Sequence, residues 1–305
     1  MCKEGSLVRN YTNHLNLNIS GGVLFKKTFK LSFFNFRMFI VKIPLINGLG
    51  KTKGCERAGN AVLKALEEIY SSESGKPIDV KLLDLEEIHI DNSNLNLSEK
   101  LIYENCLEIF EEKPKIIFLG GDHSISYSTG KAFFDNCKKQ KKEACLIIFD
   151  AHPDCMSATK NPNHEEWLRA LIDYGFPAKN ILLVGLRNSD KEEIEFIKKN
   201  KIKTISINQL QEDLEETCEI IMEFSHEKEL YLSLDIDIVD PAFAPATGYP
   251  ETGGLTSREF IYLIQRMNKI KNLKAVDIVE INSDKDKEFN MITTKLGAKM
   301  LGELI

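Results

Sequence analysis

The feature that most constrains the fold of this sequence is the alternation of short apolar segments with longer amphipathic ones from Met38 onward. The apolar segments are rich in Ile, Val and Leu and cover residues 39–45, 79–83, 115–119, 145–149, 181–186, 203–207, 230–236 and 274–279. Segments with helical periodicity lie between them, among them 57–70, 98–112, 165–174, 191–199, 209–224 and 257–270. Apolar strands that alternate with helices predict a parallel sheet that is covered on both faces.

Eight strands in this order predict an α/β fold, a three-layer α/β/α sandwich with a mostly parallel eight-stranded sheet. A closed (β/α)₈ barrel is the alternative fold for the same order. No Pro- or Ser-rich linker interrupts residues 38–305, so we expect them to form one domain. Residues 1–37 are rich in Asn, Phe and Lys and lack clear periodicity, and we expect a disordered N-terminal extension there.

Composition argues against several classes of partner. The net charge of -6 disfavours nucleic acid and membrane surfaces, because both attract basic proteins. The apolar stretch 33–45 contains Arg37 and Lys42 and is too short to span a bilayer. Seven cysteines are scattered without a C-x-x-C pair, which is typical of reduced thiols. We therefore expect a cytoplasmic protein with neither a nucleic-acid nor a membrane partner.

Polar residues that are unusual in a buried sheet follow five of the predicted strands. They form the segments GGDHS at 120–124, DAHPD at 150–154 and RNSD at 187–190. Asp235 and Asp237 lie at the end of the strand 230–236, and Glu280 follows the strand 274–279. Ligands of parallel α/β sheets bind outside the carboxyl ends of the strands, so we expect these side chains to share one site.

Six of these side chains have the composition of a metal site. Alternate residues of an extended chain point to one side, and both acidic segments carry their candidate ligands at alternate positions. Four carboxylates in one crevice would repel one another, and two divalent cations roughly 3.5 Å apart would relieve this and hold a nucleophilic hydroxide. Mixed carboxylate and imidazole ligation suits Mn²⁺, with catalytic zinc as the alternative. The candidate ligands are His123, Asp150, His152, Asp154, Asp235 and Asp237.

At these residues the sequence resembles the ureohydrolase family, which contains the arginases and agmatinases. The similar segments are GGDHS at 120–124, DAHPD at 150–154, GLRNSD at 185–190, SLDIDIVDPAFAPATGYPETGGL at 233–255 and AVDIVEIN at 275–282. The DAHxD and SxDxDxxDP patterns are highly specific in combination. The resemblance implies an arginase-like α/β/α fold, a catalytic domain at residues 38–305, and a homo-oligomer that is a trimer or a hexamer.

The resemblance also implies two manganese ions per subunit. One would be held by His123, Asp150, Asp154 and Asp235, and the other by Asp150, His152, Asp235 and Asp237. Asp150 and Asp235 would then bridge the two ions. A hydroxide would attack the guanidinium carbon of a small substrate, and Asp154 would move the proton toward the leaving amine. The implied products are urea and an amine.

The remaining functional positions are also assigned by resemblance. Glu280 would pair with the guanidinium group and orient it, because a carboxylate and a planar cation form a charge-assisted pair. His164 lies after the DAHPD segment and would shuttle protons, although Glu165 follows it where the family has a glycine. Asp190 and Glu193 would bind a substrate ammonium group, unless they only stabilise the N-terminus of a helix.

The residues around the predicted substrate pocket depart from the arginase pattern. Met156 stands where arginases have an asparagine, and Tyr249 stands where the family commonly has a threonine. These changes leave arginine, agmatine (cleaved to putrescine and urea) and formimidoylglutamate open as substrates. Two other classes stay open: a one-zinc deacetylase on a related fold, although no His-His pair occurs here, and a non-catalytic homologue.

Overall fold

Eight strands form one sheet in the computed structural model, which describes residues 39–305. They are β1 Phe39–Ile43, β2 Asp84–Glu87, β3 Ile116–Gly120, β4 Ala144–Phe149, β5 Ile181–Leu186, β6 Lys203–Ser206, β7 Glu229–Asp235 and β8 Leu273–Val279. Their order across the sheet is β2-β1-β3-β8-β7-β4-β5-β6, and all neighbours are parallel. The sheet is open, with β2 and β6 at its edges, which excludes the closed barrel. The expected extension at 1–37 lies outside the described residues.

Helices cover both faces of this sheet and complete the three-layer α/β/α sandwich that the sequence predicts. In the described part of the chain they are α1 Ala58–Leu66, α2 Leu95–Glu112, α3 Ile125–Lys139, α4 Trp167–Tyr174, α5 Lys191–Asn200, α6 Ile207–Glu212, α7 Leu214–Phe224, α8 Ser257–Met267 and α9 Ile292–Leu304. Helices α1 and α6–α9 pack on one face, and α2–α5 pack on the other. None of these helices combines the length and the apolar character that a bilayer crossing requires.

The central strands are mostly apolar because both of their faces are covered. In β4, Ile147 and Phe149 belong to the hydrophobic core under α1 and α6–α9. Leu146 and Ile148 belong to the core under α2–α5. Successive side chains of a strand point to opposite faces, so a strand between two helical layers has no polar face. This pattern is what made the central strands predictable.

The prediction of a second strand at residues 79–83 is wrong. Val80–Leu82 is a 3₁₀-helix, in which the Asp79 side chain accepts a hydrogen bond from the backbone N–H of Lys81. The strand is Asp84–Glu87, at the edge of the sheet, where Leu85 is 40% exposed. An edge strand needs no continuous apolar run, so the apolar residues just before it gave a misleading signal.

One predicted helix is divided in the structure, and two helices lie outside the segments named above. The single helix expected at 209–224 is broken at Asp213, whose side chain accepts from the backbone N–H of Glu216 and starts α7. Asp at this position favours a helix start over a helix interior. Helices α3 and α9 are not among the predicted segments. Both contain Gly and Thr residues, which weaken a helical signal in sequence.

Candidate metal centre

The carboxyl ends of five adjacent strands, β3, β8, β7, β4 and β5, meet at one edge of the sheet. Each end is followed by one of the polar segments that the sequence places there. His123 follows β3, the segment 150–154 follows β4, Asp235 ends β7, and Glu280 follows β8. The predicted convergence of these side chains therefore rests on the strand order.

His123 lies within a cluster of three carboxylates. Its Nδ1 atom is 3.1 Å from Asp150 Oδ2, 2.9 Å from Asp154 Oδ2 and 3.1 Å from Asp235 Oδ2. All four residues are buried. His123, Asp150 and Asp235 offer ligand atoms within 4.8 Å of one another, a spacing that one metal ion could occupy.

His152 belongs to a second group beside the first. Its Nδ1 atom is 2.8 Å from Asp237 Oδ2 and 3.6 Å from Asp150 Oδ1. These three residues form a second set of candidate ligands. Asp150 belongs to both groups and directs one carboxylate oxygen toward each imidazole. The structure thus brings all six candidate ligands together, in two groups that share Asp150.

The backbone that presents these ligands is not the extended chain that the spacing suggests. Asp154 has φ of +51°, in the left-handed region, so the segment 150–154 changes direction at its last residue. Asp237 lies in the 3₁₀-helix Ile236–Ile238, and its N–H donates to Asp235 Oδ1 at 2.8 Å. The prediction of a uniformly extended backbone is therefore wrong, because tight turns after the strands direct these carboxylates.

A chain of buried hydrogen bonds sets the tautomer of His123. Ser233 Oγ donates to the carboxylate of Asp277 at 2.7 Å, so it can accept a hydrogen bond from His123. His123 Nε2 lies 2.9 Å from Ser233 Oγ and donates to it. The proton on Nε2 leaves the lone pair of Nδ1 facing the three carboxylates. Metal-binding histidines commonly have their second nitrogen fixed in this way.

The donor atoms of the cluster fit a divalent cation. His123 Nδ1 and Asp150 Oδ2 are buried, and neither has a hydrogen-bond partner. A nitrogen lone pair close to several carboxylate oxygens is repulsive unless a proton or a cation lies among them. Carboxylate oxygens and imidazole nitrogens, without a thiolate, suit an ion of the Mn²⁺ type.

Without a cation, the crowding in the cluster favours bound protons. Burial and the charge of Asp150 raise the pKa of Asp154 to about 7. Burial, Asp237 and Asp150 raise the pKa of Asp235 well above its usual range. Burial opposes protonation of His152, but Asp150 and Asp237 outweigh it and raise the pKa of His152 to about 12. A divalent cation would displace these protons.

Glu280 adds a fifth carboxylate at the side of the cluster. Its Oε1 atom accepts a hydrogen bond from the backbone N–H of His123 at 2.8 Å. Its Oε2 atom is buried and has no partner. Burial and the charges of Asp235 and Asp122 raise the pKa of Glu280 well above its usual range. A guanidinium cation would satisfy this oxygen and stabilise the charged carboxylate.

A cavity of about 400 Å³ opens above the cluster and contains His164 on its wall. The imidazole of His164 stacks on the ring of Tyr249 with centroids 4.9 Å apart, and both of its nitrogens lack hydrogen-bond partners. Burial, together with the charges of His123 and His152, lowers the pKa of His164 to about 4. The neutral ring could donate one hydrogen bond and accept another from a bound molecule.

Asp190 and Glu193 line the same cavity but also form a helix cap. Asp190 Oδ1 accepts from the backbone N–H of Glu192 at 2.8 Å. The two carboxylate oxygens of Glu193 accept from the backbone N–H groups of Cys155 and Asp190 at 3.0 and 2.9 Å. Glu193 is thus engaged by the backbone, whereas Asp190 is exposed at the cavity. Substrate binding by either residue stays a prediction.

Three residues that contact a candidate ligand or support one through another side chain were not predicted from the sequence. Ser233 and Asp277 interrupt the apolar strands β7 and β8, and a polar residue in such a strand is the signal that could have identified them. Trp167 is fully buried, and its Nε1–H donates to Asp154 Oδ2 at 2.8 Å. A tryptophan in an amphipathic helix is most often a core residue, so its contact with a candidate ligand carried no sequence signal.

Comparison with known proteins identifies the family. A family model described as the Arginase family matches residues 36–305. The chain is 29% identical to the arginase of Staphylococcus aureus (strain MRSA252) over 230 residues, 67% of this chain and 74% of that protein. The structure is similar to that of formimidoylglutamase from Bacillus subtilis subsp. subtilis str. 168, with a TM-score of 0.77, 24% identity, and coverage of 87% of this chain and 85% of that chain.

The structure of this chain is also similar to that of a hypothetical agmatinase from Burkholderia thailandensis. The TM-score is 0.73, the sequence identity is 25%, and the match covers 88% of this chain and 85% of that chain. These similarities agree with the arginase-like fold that the sequence predicts. The family model covers most of the chain, which speaks against the deacetylase alternative. The chain therefore belongs to the arginase family of metal-dependent hydrolases, which act on C–N bonds.

Proposed function

We propose that this chain is a binuclear manganese hydrolase that cleaves a guanidino group to urea and an amine. The observation that carries the proposal is the convergence of four buried carboxylates and two imidazoles beside the unpartnered oxygen of Glu280. The cluster favours two cations, and Glu280 favours a cationic planar group next to them. Membership of the arginase family supports the same reaction class.

The proposed ligands fall into two sets. His123, Asp150, Asp154 and Asp235 would hold one ion, and Asp150, His152, Asp235 and Asp237 would hold the other. The sharing of Asp150 between the two imidazole groups supports this assignment. Asp235 is the second proposed bridge. When bound, the two cations would act as Lewis acids and lower the pKa of water to near neutral.

Three side chains have proposed roles toward the substrate. Glu280 orients the guanidinium through its free Oε2 atom while Oε1 stays on the backbone of His123. Asp154 takes the proton of the attacking hydroxide and passes it to the leaving amine. His164 has both nitrogens free on the cavity wall and shuttles other protons between the cavity and solvent.

The cavity wall favours agmatine as the second candidate substrate beside arginine. None of the described residues that line the cavity is a lysine or an arginine, although Lys51 Nζ lies over the ring of Tyr249, 4.4 Å from its centroid. Asp190 and Glu165 offer negative charge to a substrate ammonium group. Met156, in the place of the arginase asparagine, lines the cavity with an apolar side chain. A trimeric or hexameric assembly and a cytoplasmic location stay predictions.

Urea release from the purified, Mn²⁺-loaded protein tests the reaction. The substrates to compare are arginine, agmatine, 4-guanidinobutyrate and formimidoylglutamate, with formamide measured for the last. We expect urea from a guanidino substrate, and the preferred one identifies the tail that the cavity accepts. Release of formamide without urea would show that the substrate is a formimino compound and not a guanidino compound. Binding of metal and ligand without any turnover would contradict the proposal and favour a non-catalytic homologue.

Manganese binding should release protons and become tighter as pH rises. The raised pKa values of His123 and His152 mean that both rings are charged at neutral pH before the metal binds, with a proton on each of their nitrogens. Ligation requires the deprotonated nitrogens, so affinity should rise between about pH 6 and 9. Calorimetric titrations in buffers with different ionisation heats measure the number of protons released. The exposed His89, changed to Ala, is the control that should leave this number unchanged.

A further inference from the structure

Trp167 is the only tryptophan of the chain, and its ring lies against the candidate metal centre. Its indole Nε1–H donates to Asp154 Oδ2 at 2.8 Å, and its ring centroid is 4.7 Å from that of His123. The side chain is fully buried in the core between the sheet and helices α2–α5. One buried ring therefore contacts two of the candidate ligands of the same ion.

The hydrogen bond from Trp167 restricts the carboxylate of Asp154. Asp154 Oδ2 lies between the indole N–H and His123 Nδ1, which is 2.9 Å away. Asp154 is the last residue of the segment 150–154 and has a left-handed backbone conformation. Asp154 lies outside regular secondary structure, and the hydrogen bond from Trp167 favours one rotamer of its side chain.

Helix α4 holds Trp167, its first residue, at a fixed position. The backbone N–H of Leu168 donates to the carbonyl oxygen of Asp154 at 3.1 Å, so the start of α4 is attached to Asp154 through both main chain and side chain. Leu168 and Leu171 of α4 are fully buried in the same core. An indole N–H carries no charge and does not titrate, so its hydrogen bond persists over the working pH range.

We infer that Trp167 is a positioning residue, which holds Asp154 for the ion bound by His123 and thereby sets the affinity of that site. The inference rests on the proposed metal ligands. Partners that orient metal ligands typically contribute 10- to 100-fold in metal affinity. Loss of the indole N–H should therefore weaken Mn²⁺ binding at one of the two sites by about 10- to 100-fold. The site of His152 and Asp237, which Trp167 does not contact, should keep its affinity.

Because of its position, the fluorescence of Trp167 should report directly whether Mn²⁺ occupies the site of His123. Mn²⁺ is paramagnetic and should quench an indole that touches two ligands of one ion. The wild-type emission should fall as the site of His123 fills, and it should recover when a chelator removes the metal. An emission that stays constant while Mn²⁺ binds would overturn the placement of Trp167 beside a metal site.

The sharpest variant replaces Trp167 with benzothienylalanine, which keeps the shape of indole but has sulfur in place of the N–H. Since the chain has one tryptophan, the replacement is confined to this position. Trp167→Phe also removes the N–H group and can be made by ordinary mutagenesis. Phe176→Leu is a packing control, because Phe176 lies in the same core and contacts Phe134, which is not part of the cluster. Chelator-competition titration with Mn²⁺ gives the two affinities, and thermal unfolding of the metal-free proteins checks the fold.

The expected result is a 10- to 100-fold weaker site in both Trp167 variants, and wild-type affinities in Phe176→Leu. Benzothienylalanine protein that binds two Mn²⁺ ions with wild-type affinities would overturn the inference and leave Trp167 as a core residue. A wild-type protein that binds no Mn²⁺ would overturn the proposed function, and the inference with it. If the wild-type protein releases urea and the benzothienylalanine protein has wild-type Mn²⁺ affinities, the inference alone is overturned.

Discussion

Replacement of Asp150 by Asn is expected to abolish hydrolysis. Asp150 directs Oδ2 toward His123 and Oδ1 toward His152, so it is the residue that joins the two groups of ligands. An amide has one oxygen and no charge, and it can neither bridge two cations nor compensate for their charge. We expect the rate of urea release to fall at least ~10³-fold, about 4 kcal/mol of transition-state stabilisation.

The Asp150→Asn variant should also bind less than two equivalents of Mn²⁺. Asp213→Asn is the matched control, because Asp213 begins α7 away from the cluster and Asn caps a helix as well as Asp does. Equilibrium dialysis followed by metal analysis gives the stoichiometry, and the urea assay gives the rate. A variant that retains both ions and more than a tenth of the wild-type rate would disprove the role of Asp150 as a bridge.

Replacement of Glu280 by Gln should separate substrate binding from metal binding. The amide oxygen of Gln can still accept the backbone N–H of His123, so the loop should keep its position. The charge that would face the guanidinium is lost, however, and truncation of one partner of a buried charge pair costs roughly 2–5 kcal/mol. We expect kcat/KM to fall by about 10²-fold or more, while two equivalents of Mn²⁺ still bind.

The control for Glu280→Gln is Glu259→Gln, since Glu259 closes the capping box of α8 and Gln serves equally well there. Steady-state kinetics with the preferred guanidino substrate gives kcat and KM for each protein. Unchanged kcat/KM in Glu280→Gln would show that the guanidinium binds elsewhere. Loss of metal from this variant would instead place Glu280 among the groups that support the metal ligands.

The sheet was predictable from sequence because its central strands are buried on both faces. Segments such as 145–149 and 181–186 are uninterrupted apolar runs, and the helical layers that cover them require this. The edge strand Asp84–Glu87 escaped prediction because a strand with one neighbour and a partly exposed surface needs no such run. The error lies at the edge of the sheet, where burial constrains the sequence least.

The candidate ligands were predictable because acidic residues and histidines are unusual at the ends of buried strands. The order of the strands, which brings β3, β7 and β4 to the centre of the sheet, could not be read from residue spacing alone. The turns at Asp154 and Asp237 were also hidden, since spacing does not reveal a left-handed residue or a 3₁₀-turn. Contacts such as that of Trp167 with Asp154 depend on the packing of α4, which only the folded chain defines.

Electron paramagnetic resonance of the Mn²⁺-loaded protein tests whether two manganese ions share Asp150. Two ions joined by a carboxylate and roughly 3.5–4 Å apart should be exchange-coupled. We predict two equivalents of bound Mn²⁺ and a coupled spectrum that collapses to uncoupled Mn²⁺ in Asp150→Asn. One equivalent per chain, or two equivalents with only an uncoupled spectrum, would contradict the binuclear centre.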